Sequence, residues 1–106
     1  MPNEPLLPDE PDANSLSLDA VLAALADPMR RHIVTELLRR EDGEHPCASF
    51  AHLPVAKSTR SHHWRVLRQA GLLHQRHLGN GSLVTLRRSD IDRRFPGLLD
   101  VLATAE

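Results

Sequence analysis

The chain has 106 residues, with 13 Lys and Arg against 14 Asp and Glu, one Cys, one Trp, two Phe and no Tyr. This length predicts a single domain with an aliphatic core; a lone cysteine excludes an internal disulfide. No apolar run approaches the roughly 20 residues of a membrane helix, and no signal peptide pattern opens the chain, so we expect a soluble, cytoplasmic protein without a membrane partner. A domain this small buries little surface, which favours a dimer.

The formal net charge of -1 hides an uneven distribution of charged residues. From His45 to Ser89 there is no Asp or Glu, whereas seven Lys and Arg fall in that segment. A solvated surface would account for the charge pattern alone. If these cations lie on an element that can enter a groove, the segment instead predicts a polyanionic partner.

The N-terminal part of the chain divides into a tail and a first helix. Residues 1–14 contain four Pro and four acidic residues, which predicts a flexible acidic tail ahead of a domain at 15–104. Ser15 or Ser17 can cap a helix that ends near Ala26. Its apolar residues recur at helical spacing: Leu18, Val21, Leu22 and Leu25.

Two further helices are expected before the basic segment becomes dense. Asp27 followed by Pro28 is a strong helix start, and the second helix should stop near Arg40. A short helix is predicted from Pro46 to Leu53, followed by a turn.

The next helix carries the pattern most relevant to function. It is predicted from Lys57 to Ala70, because no Gly or Pro interrupts it and Gly71 suits the left-handed residue that closes a helix. His63 and Trp64 are expected to pack inward. The opposite face has only side chains that can hydrogen-bond a phosphate or a base edge. These are Ser58, Ser61, His62, Arg65 and Gln69.

A hairpin and a closing helix complete the domain. Leu72 to His77 and Ser82 to Arg87 are predicted as two strands, since Asn80 followed by Gly81 is a strong hairpin signal. Ser89 is predicted to cap another helix, which Phe95 and Pro96 interrupt. The last apolar face is formed by Leu98, Leu99 and Leu102.

These elements define the predicted fold class, mainly α with a small β-hairpin: a winged helix-turn-helix domain of about five helices plus a two-stranded wing. The runs at 25–30 (LADPMR) and 57–73 (KSTRSHHWRVLRQAGLL) resemble the ArsR family of bacterial transcriptional regulators. The resemblance covers about Leu16 to Ala103. Two positions depart from the family pattern: Arg60 stands where an apolar residue is usual, and Ala56 lacks the usual capping side chain.

The resemblance implies a homodimer that binds double-stranded DNA at a palindromic operator, more often as a repressor. Helix 57–70 would enter the major groove, and wing 72–87 would lie along an adjacent groove or phosphate. The first and last helices would form the dimer interface. Its predicted residues are Leu18, Val21, Leu22, Leu98, Leu99 and Leu102.

The predicted DNA-binding residues fall into three groups. Ser58, Thr59 and Ser61 would donate to phosphates near the start of the helix. His62 and Arg65 would contact base edges. Sequence-independent phosphate contacts are predicted for Lys57, Arg68, Arg76 and His77. For Arg87 and Arg88, a phosphate contact and a plain surface position remain equal alternatives.

No metal, cofactor or catalytic residue is predicted. The metal-binding pairs of many ArsR relatives, a Cys-x-Cys or ligands in the last helix, are missing. His45, Cys47 and His52 form a partial soft-metal set that fits no strong motif. No acid-base pair or nucleophile triad appears, so the chain is predicted not to be an enzyme.

Two functions remain open at this point. The first is a sequence-specific, homodimeric DNA-binding regulator. The alternative is a winged-helix module for protein interaction or DNA architecture, without sequence preference. A small-molecule or redox effector is not identified by the pattern.

Overall fold

A computed structural model of the chain describes residues 6–105. Within this range, five α-helices and a three-stranded sheet form the domain. The helices are α1 (Leu18–Leu25), α2 (Pro28–Arg39), α3 (Lys57–Gln69), α4 (Arg88–Arg94) and α5 (Leu98–Ala105). The strands are β1 (Glu44–Pro46), β2 (Leu73–Leu78) and β3 (Gly81–Leu86), and two 3₁₀ segments span Ala13–Ser15 and Cys47–Phe50. The predicted winged helix-turn-helix fold is confirmed.

The first two helices begin at the capping residues that the sequence predicts. Ser17 Oγ accepts a hydrogen bond from the Ala20 amide at 3.3 Å. Asp27 Oδ1 accepts from the amides of Met29 and Arg30 at 2.8 and 3.2 Å. Each contact satisfies amides that lack a partner within the helix.

Helix α3 ends at the glycine that the sequence marks. Gly71 has a φ of +86°. Its amide donates to Arg68 O, and the Leu72 amide donates to Leu67 O, both at 3.0 Å. This pair of bonds is the Schellman arrangement, in which the residue after the helix must be left-handed.

The sheet has the order β1-β3-β2, with both pairs antiparallel. The wing hairpin β2-β3 is confirmed, but Leu78 pairs with Gly81, so Gly79 and Asn80 form its loop. Strand β1 was not predicted. It has only three residues and pairs through Glu44 with Thr85, which is 41 positions away, so its existence depends on a distant partner.

The core is aliphatic around one aromatic pair. Ile33 of α2 and Leu67 of α3 are fully buried together with Leu72 and Phe50. Trp64 meets Phe50 edge to face, with ring centroids 5.3 Å apart. This packing fixes the inner face of α3 and leaves the opposite face to solvent.

Arg87 and Arg88, whose role the sequence left open, are held inside the domain. Arg88 Nη2 donates to Leu37 O and Arg40 O at 2.8 and 2.9 Å, at the C-terminus of α2. Arg87 is buried, and its Nη1 donates to Pro11 O at 2.7 Å. Helix α4 begins at Arg88 with Arg87 in the N-cap position, so the predicted cap at Ser89 is wrong.

The N-terminal segment also departs from expectation. Within the predicted tail, residues 9–11 contact the domain, while residues 1–5 lie outside the described range. The Glu10 side chain is 0% exposed. Its carboxylate accepts from the Gln75 amide at 2.9 Å and from His74 Nδ1 at 2.7 Å. A domain boundary at residue 15 thus leaves out the contacts of Glu10. The boundary was predicted from amino-acid composition, which does not reveal hydrogen bonds to distant residues.

Candidate nucleic-acid interface

Helix α3 presents one continuous polar face to solvent. All five predicted face residues, Ser58, Ser61, His62, Arg65 and Gln69, are exposed. Arg65 Nη2 donates to His62 Nδ1 at 3.3 Å, a contact open to solvent. Arg65 therefore retains donors for the paired acceptors of a guanine edge.

The N-terminus of α3 is exposed and carries no side-chain cap. Ala56 precedes the helix in an extended conformation and makes no capping hydrogen bond, as predicted. Lys57, Ser58 and Thr59 around it are exposed. Free amides and the helix dipole make such an end suitable for a phosphate.

The opposite face of α3 holds His63 and Trp64 in the packed positions that were predicted for them. His63 Nδ1 accepts from Arg30 Nη1 at 3.3 Å. Arg30 Nε in turn donates to Ala24 O at 2.6 Å. The imidazole therefore links α3 to α1 and α2 in its neutral form.

Burial, reinforced by the Arg30 guanidinium, lowers the pKa of His63 below its ordinary value of 6.5, although Asp27 opposes the shift. The unfolded chain then takes up the proton first as pH falls. The stabilisation that neutral His63 gives the folded state is present above pH 6.5, the pKa of an ordinary histidine. It is lost as the pH falls from 6.5 through the lower pKa of His63 in the folded state. We expect the free energy of unfolding to decrease from pH 7.5 to 5.0, and the decrease to be smaller for His63→Gln.

Chemical denaturation at the two pH values measures this effect. His52→Gln is the matched control, because His52 is exposed. An equal pH dependence in wild type and His63→Gln would contradict the assignment.

Arg68, predicted to contact phosphate, is engaged within the chain. It forms a two-pronged ion pair with Asp9, with Nε–Oδ1 and Nη2–Oδ2 distances of 3.0 and 2.8 Å, and it also donates to Gln75 Oε1. The pair lowers the pKa of Asp9 and raises that of Arg68. The structure places this guanidinium on the N-terminal segment, which the prediction treated as a free tail.

Arg76 on the wing is also paired. Its Nε and Nη2 donate to Glu44 of β1 at 2.7 and 2.9 Å, and this contact lowers the pKa of Glu44. His77 beside it is exposed. Because β1 was not predicted, neither was its carboxylate next to the wing. Among residues 6–105, the α3 cations Lys57, Arg60 and Arg65 form no ion pair with a carboxylate.

The predicted dimer residues divide between core and surface. Leu18 and Leu22 of α1 are 48% and 49% exposed, whereas Val21 lies in the core. On α5, Leu99 and Leu102 are buried, and Leu98 is half-buried. The family resemblance implies an interface of the first and last helices, and it does not distinguish their core-facing residues from their exposed ones. Helices α1 and α5 are apolar on two faces, and the exposed member on α5 is Val101 at 61%.

The metal-ligating side chains of the segment 45–52 are occupied separately. His45 Nε2 donates to Glu41 O at 2.7 Å, while Cys47 Sγ accepts from Ser82 Oγ at 3.2 Å. Burial raises the pKa of the Cys47 thiol. Among residues 6–105, no group of three or more His, Cys, Asp or Glu is arranged to hold a metal ion.

The fold and the exposed face of α3 define a class of protein. A 3₁₀ segment, a turn and α3 form a helix-turn-helix unit, and β2-β3 forms its wing, as in winged-helix DNA-binding proteins. The helix-turn-helix domain family matches residues 25–76.

A solved structure of similar fold is the ArsR-like transcriptional regulator from Rhodococcus sp. RHA1. It is 27% identical, with 83% of this chain and 81% of that chain covered and a TM-score of 0.61. None of the curated proteins matches the chain. The chain is therefore similar to ArsR-like regulators in sequence and fold, and it is a DNA-binding transcriptional regulator with a helix-turn-helix domain.

In the described part of the chain, no helix is both long enough and apolar enough to span a membrane.

Proposed function

We propose that the protein is a homodimeric repressor that binds a palindromic operator in a sequence-specific way. Helix α3 enters the major groove, and the wing β2-β3 lies along the neighbouring backbone. The observation that carries the proposal is the exposed face of α3, which has five hydrogen-bonding side chains and no carboxylate. We further propose that the protein acts in the cytoplasm and has no catalytic activity.

Residues in the middle of α3 contact the DNA bases. Arg65 is exposed and can form two parallel hydrogen bonds to guanine O6 and N7. His62, one turn earlier, orients the Arg65 guanidinium through the 3.3 Å contact. A bidentate contact of good geometry discriminates against the wrong base by about 1–3 kcal/mol.

Residues at the uncapped N-terminus of α3 contact the DNA phosphates. Lys57, Ser58 and Thr59 surround its free amides, which supports a phosphate position there. The Lys57 side chain has no hydrogen-bond or ion-pair partner among residues 6–105. By contrast, Arg68 and Arg76 already neutralise carboxylates of the same chain, and would contact phosphate only by exchanging partners.

This division predicts the salt dependence of DNA binding. Lys57→Ala should weaken binding to all sequences about equally and lower the slope of log K against log [salt] by about 1. Equilibrium titration with labelled duplex at several salt concentrations measures the slope. Arg93→Ala on α4 is the control, since that exposed arginine lies outside the wing and α3. A Lys57→Ala slope equal to wild type would argue against this contact.

The exposed apolar side chains of α1 and α5 support the homodimer. Leu18, Leu22 and Val101 remain exposed although both helices pack on α2. A second copy would cover these residues and place two α3 helices on one face. The half-sites should then lie about one helical turn of DNA apart, or a multiple of it.

The test is selection of bound sites from random duplexes, followed by affinity measurements on the selected and scrambled sites. We expect a palindrome that binds about 10³-fold or more tightly than its scrambled form. Arg65→Gln should reduce affinity for the selected site by roughly 10- to 100-fold and relax the preference at one base pair of each half-site.

Arg93→Gln should leave both affinity and preference unchanged. Equal affinity for selected and scrambled duplexes at physiological salt would overturn the proposal and favour a protein-interaction or architectural module. Repression itself is measured as reduced transcript from a template with the selected site across its promoter. An increase in transcript would contradict the repressor assignment.

A further inference from the structure

A groove of about 570 Å³ lies between α3, the wing and the 3₁₀ segment Cys47–Phe50. Three elements supply its walls: Trp64 comes from α3, Leu83 from β3, and Pro46 from the end of β1. Its volume lies in the range of small-molecule sites, which are mostly apolar with a few polar groups. The proposed DNA contacts leave the interior of this groove unused.

The polar groups of the wall satisfy one another. Gln75 Nε2 donates to Ser82 Oγ at 2.9 Å, and Ser82 Oγ donates to Cys47 Sγ at 3.2 Å. Burial raises the pKa of this thiol, so the side of the groove formed by Cys47, Gln75 and Ser82 carries no charge at neutral pH. The bonds join β2, β3 and the 3₁₀ segment and therefore fix the wall before any ligand binds.

The charge of the groove comes from Lys57 and Arg60 of α3. Neither side chain has a hydrogen-bond or ion-pair partner among residues 6–105. No Asp or Glu of that range lines the groove. Arg60, which departs from the apolar residue expected at its position, thus places an uncompensated cation beside an apolar wall. Such an arrangement is complementary to an anion with an apolar body.

We propose that this groove binds a small aromatic carboxylate. The carboxylate lies between Lys57 and Arg60, where a guanidinium can donate two parallel hydrogen bonds. The ring packs on Trp64 and Leu83, which excludes water from the charged contact. A single-ring ligand has few atoms, so its dissociation constant should be on the order of 1 mM.

The groove shares Lys57 and Ser61 with the proposed DNA-binding face. An occupant would use the Lys57 charge and place its own negative charge beside the DNA backbone. Aromatic carboxylates should therefore weaken DNA binding. This consequence depends on the proposed function, whereas binding to the groove does not.

The binding test uses benzoate and the full chain without DNA. Trp64 is the one tryptophan of the sequence, so its indole N–H gives a single, self-assigned signal in a ¹H-¹⁵N spectrum. We expect a saturable shift of this signal with benzoate at constant ionic strength. Benzamide, which keeps the ring but lacks the charge, should bind at least roughly tenfold more weakly.

Two variants distinguish specific binding of benzoate in the groove from adventitious binding. Arg60→Gln should weaken benzoate binding roughly tenfold, since a charged hydrogen bond is lost, while Arg93→Gln should not change it. Circular dichroism and thermal melting check that both variants fold. The proposal is overturned if benzamide or inorganic phosphate shifts Trp64 as strongly as benzoate. It is also overturned if Trp64 does not respond, or if folded Arg60→Gln binds benzoate like wild type.

A second measurement tests the link to DNA. Saturating benzoate should raise the dissociation constant for the selected duplex several-fold, compared with sodium chloride at the same ionic strength. The effect should be absent in Arg60→Gln. If benzoate shifts the Trp64 signal but leaves the DNA affinity unchanged, the proposed competition between benzoate and DNA is refuted, whereas benzoate binding to the groove still stands. A protein that binds benzoate but no specific DNA would refute only the proposed function.

Discussion

Replacing Gly71 by alanine should destabilise the domain by about 3 kcal/mol. The residue has a φ of +86°, a conformation that costs an L-residue about 1–2 kcal/mol. An added Cβ would also lie 2.2 Å from Leu16 Cδ2 and 3.0 Å from Pro11 Cγ. Leu16 is buried and cannot move freely, so overpacking adds about 1–3 kcal/mol.

Gly97→Ala separates the two contributions. Gly97 has a φ of +90°, but nothing lies within 4 Å of its ideal Cβ. It should therefore show the backbone cost of about 1–2 kcal/mol alone. Thermal and chemical unfolding measure the difference, and about 3 kcal/mol corresponds to a Tm decrease of roughly 12–24 °C. Equal destabilisation by both substitutions would show that the N-terminal segment does not press on Gly71.

Replacing Leu22 by aspartate should convert the proposed dimer into folded monomers. The side chain is 49% exposed in the monomer, so a carboxylate there is tolerated without a partner. In a dimer it would be buried without a counter-charge, which costs several kcal/mol. We expect the dimer dissociation constant to rise at least about 100-fold, as measured by analytical ultracentrifugation over a concentration series.

Loss of the dimer should also weaken operator binding by roughly 10²- to 10⁴-fold, since two linked half-site contacts become independent. Leu78→Asp is the matched control for oligomeric state, because Leu78 is a 43% exposed leucine at the tip of the wing. It should sediment like wild type. A Leu22→Asp protein that remains dimeric would show that the interface lies elsewhere.

Ion pairs with carboxylates outside the segment neutralise several of the cations between His45 and Ser89. Counted along the sequence, seven cations lie between His45 and Ser89 without a carboxylate. In space, Asp9 pairs with Arg68, Glu44 with Arg76, and Asp90 with Arg87. Carboxylates on either side of the segment thus fold back onto it. The positive charge left for a polyanion is concentrated at the start and middle of α3 and in the adjoining groove.

The apolar residues of α1 and α5 lie on two faces of each helix, and this pattern is visible in the sequence. Each helix has eight residues and a single charged side chain, Asp19 in α1 and Asp100 in α5. A helix that is apolar on most of its circumference requires partners on more than one side. The sequence alone did not decide which leucines face the core and which remain exposed.

Local patterns were sufficient for most of the fold. The start of α2 at Asp27 and Pro28, the end of α3 at Gly71 and the exposed face of α3 were each predictable. In every case the interacting atoms lie within one or two helical turns, so residue spacing determines the geometry.

Contacts between distant parts of the chain were not predictable in this way. Strand β1, the burial of Glu10 against β2, and the carbonyl partners of Arg88 each join residues at least 37 positions apart, the smallest separation being Pro46 with Leu83. The winged helix-turn-helix fold and the exposed polar face of α3 follow from the sequence, because periodicity and capping are local. Which arginines are neutralised, and where a cation without a partner borders a groove, follows from the three-dimensional structure, because charge pairing depends on distances that folding creates.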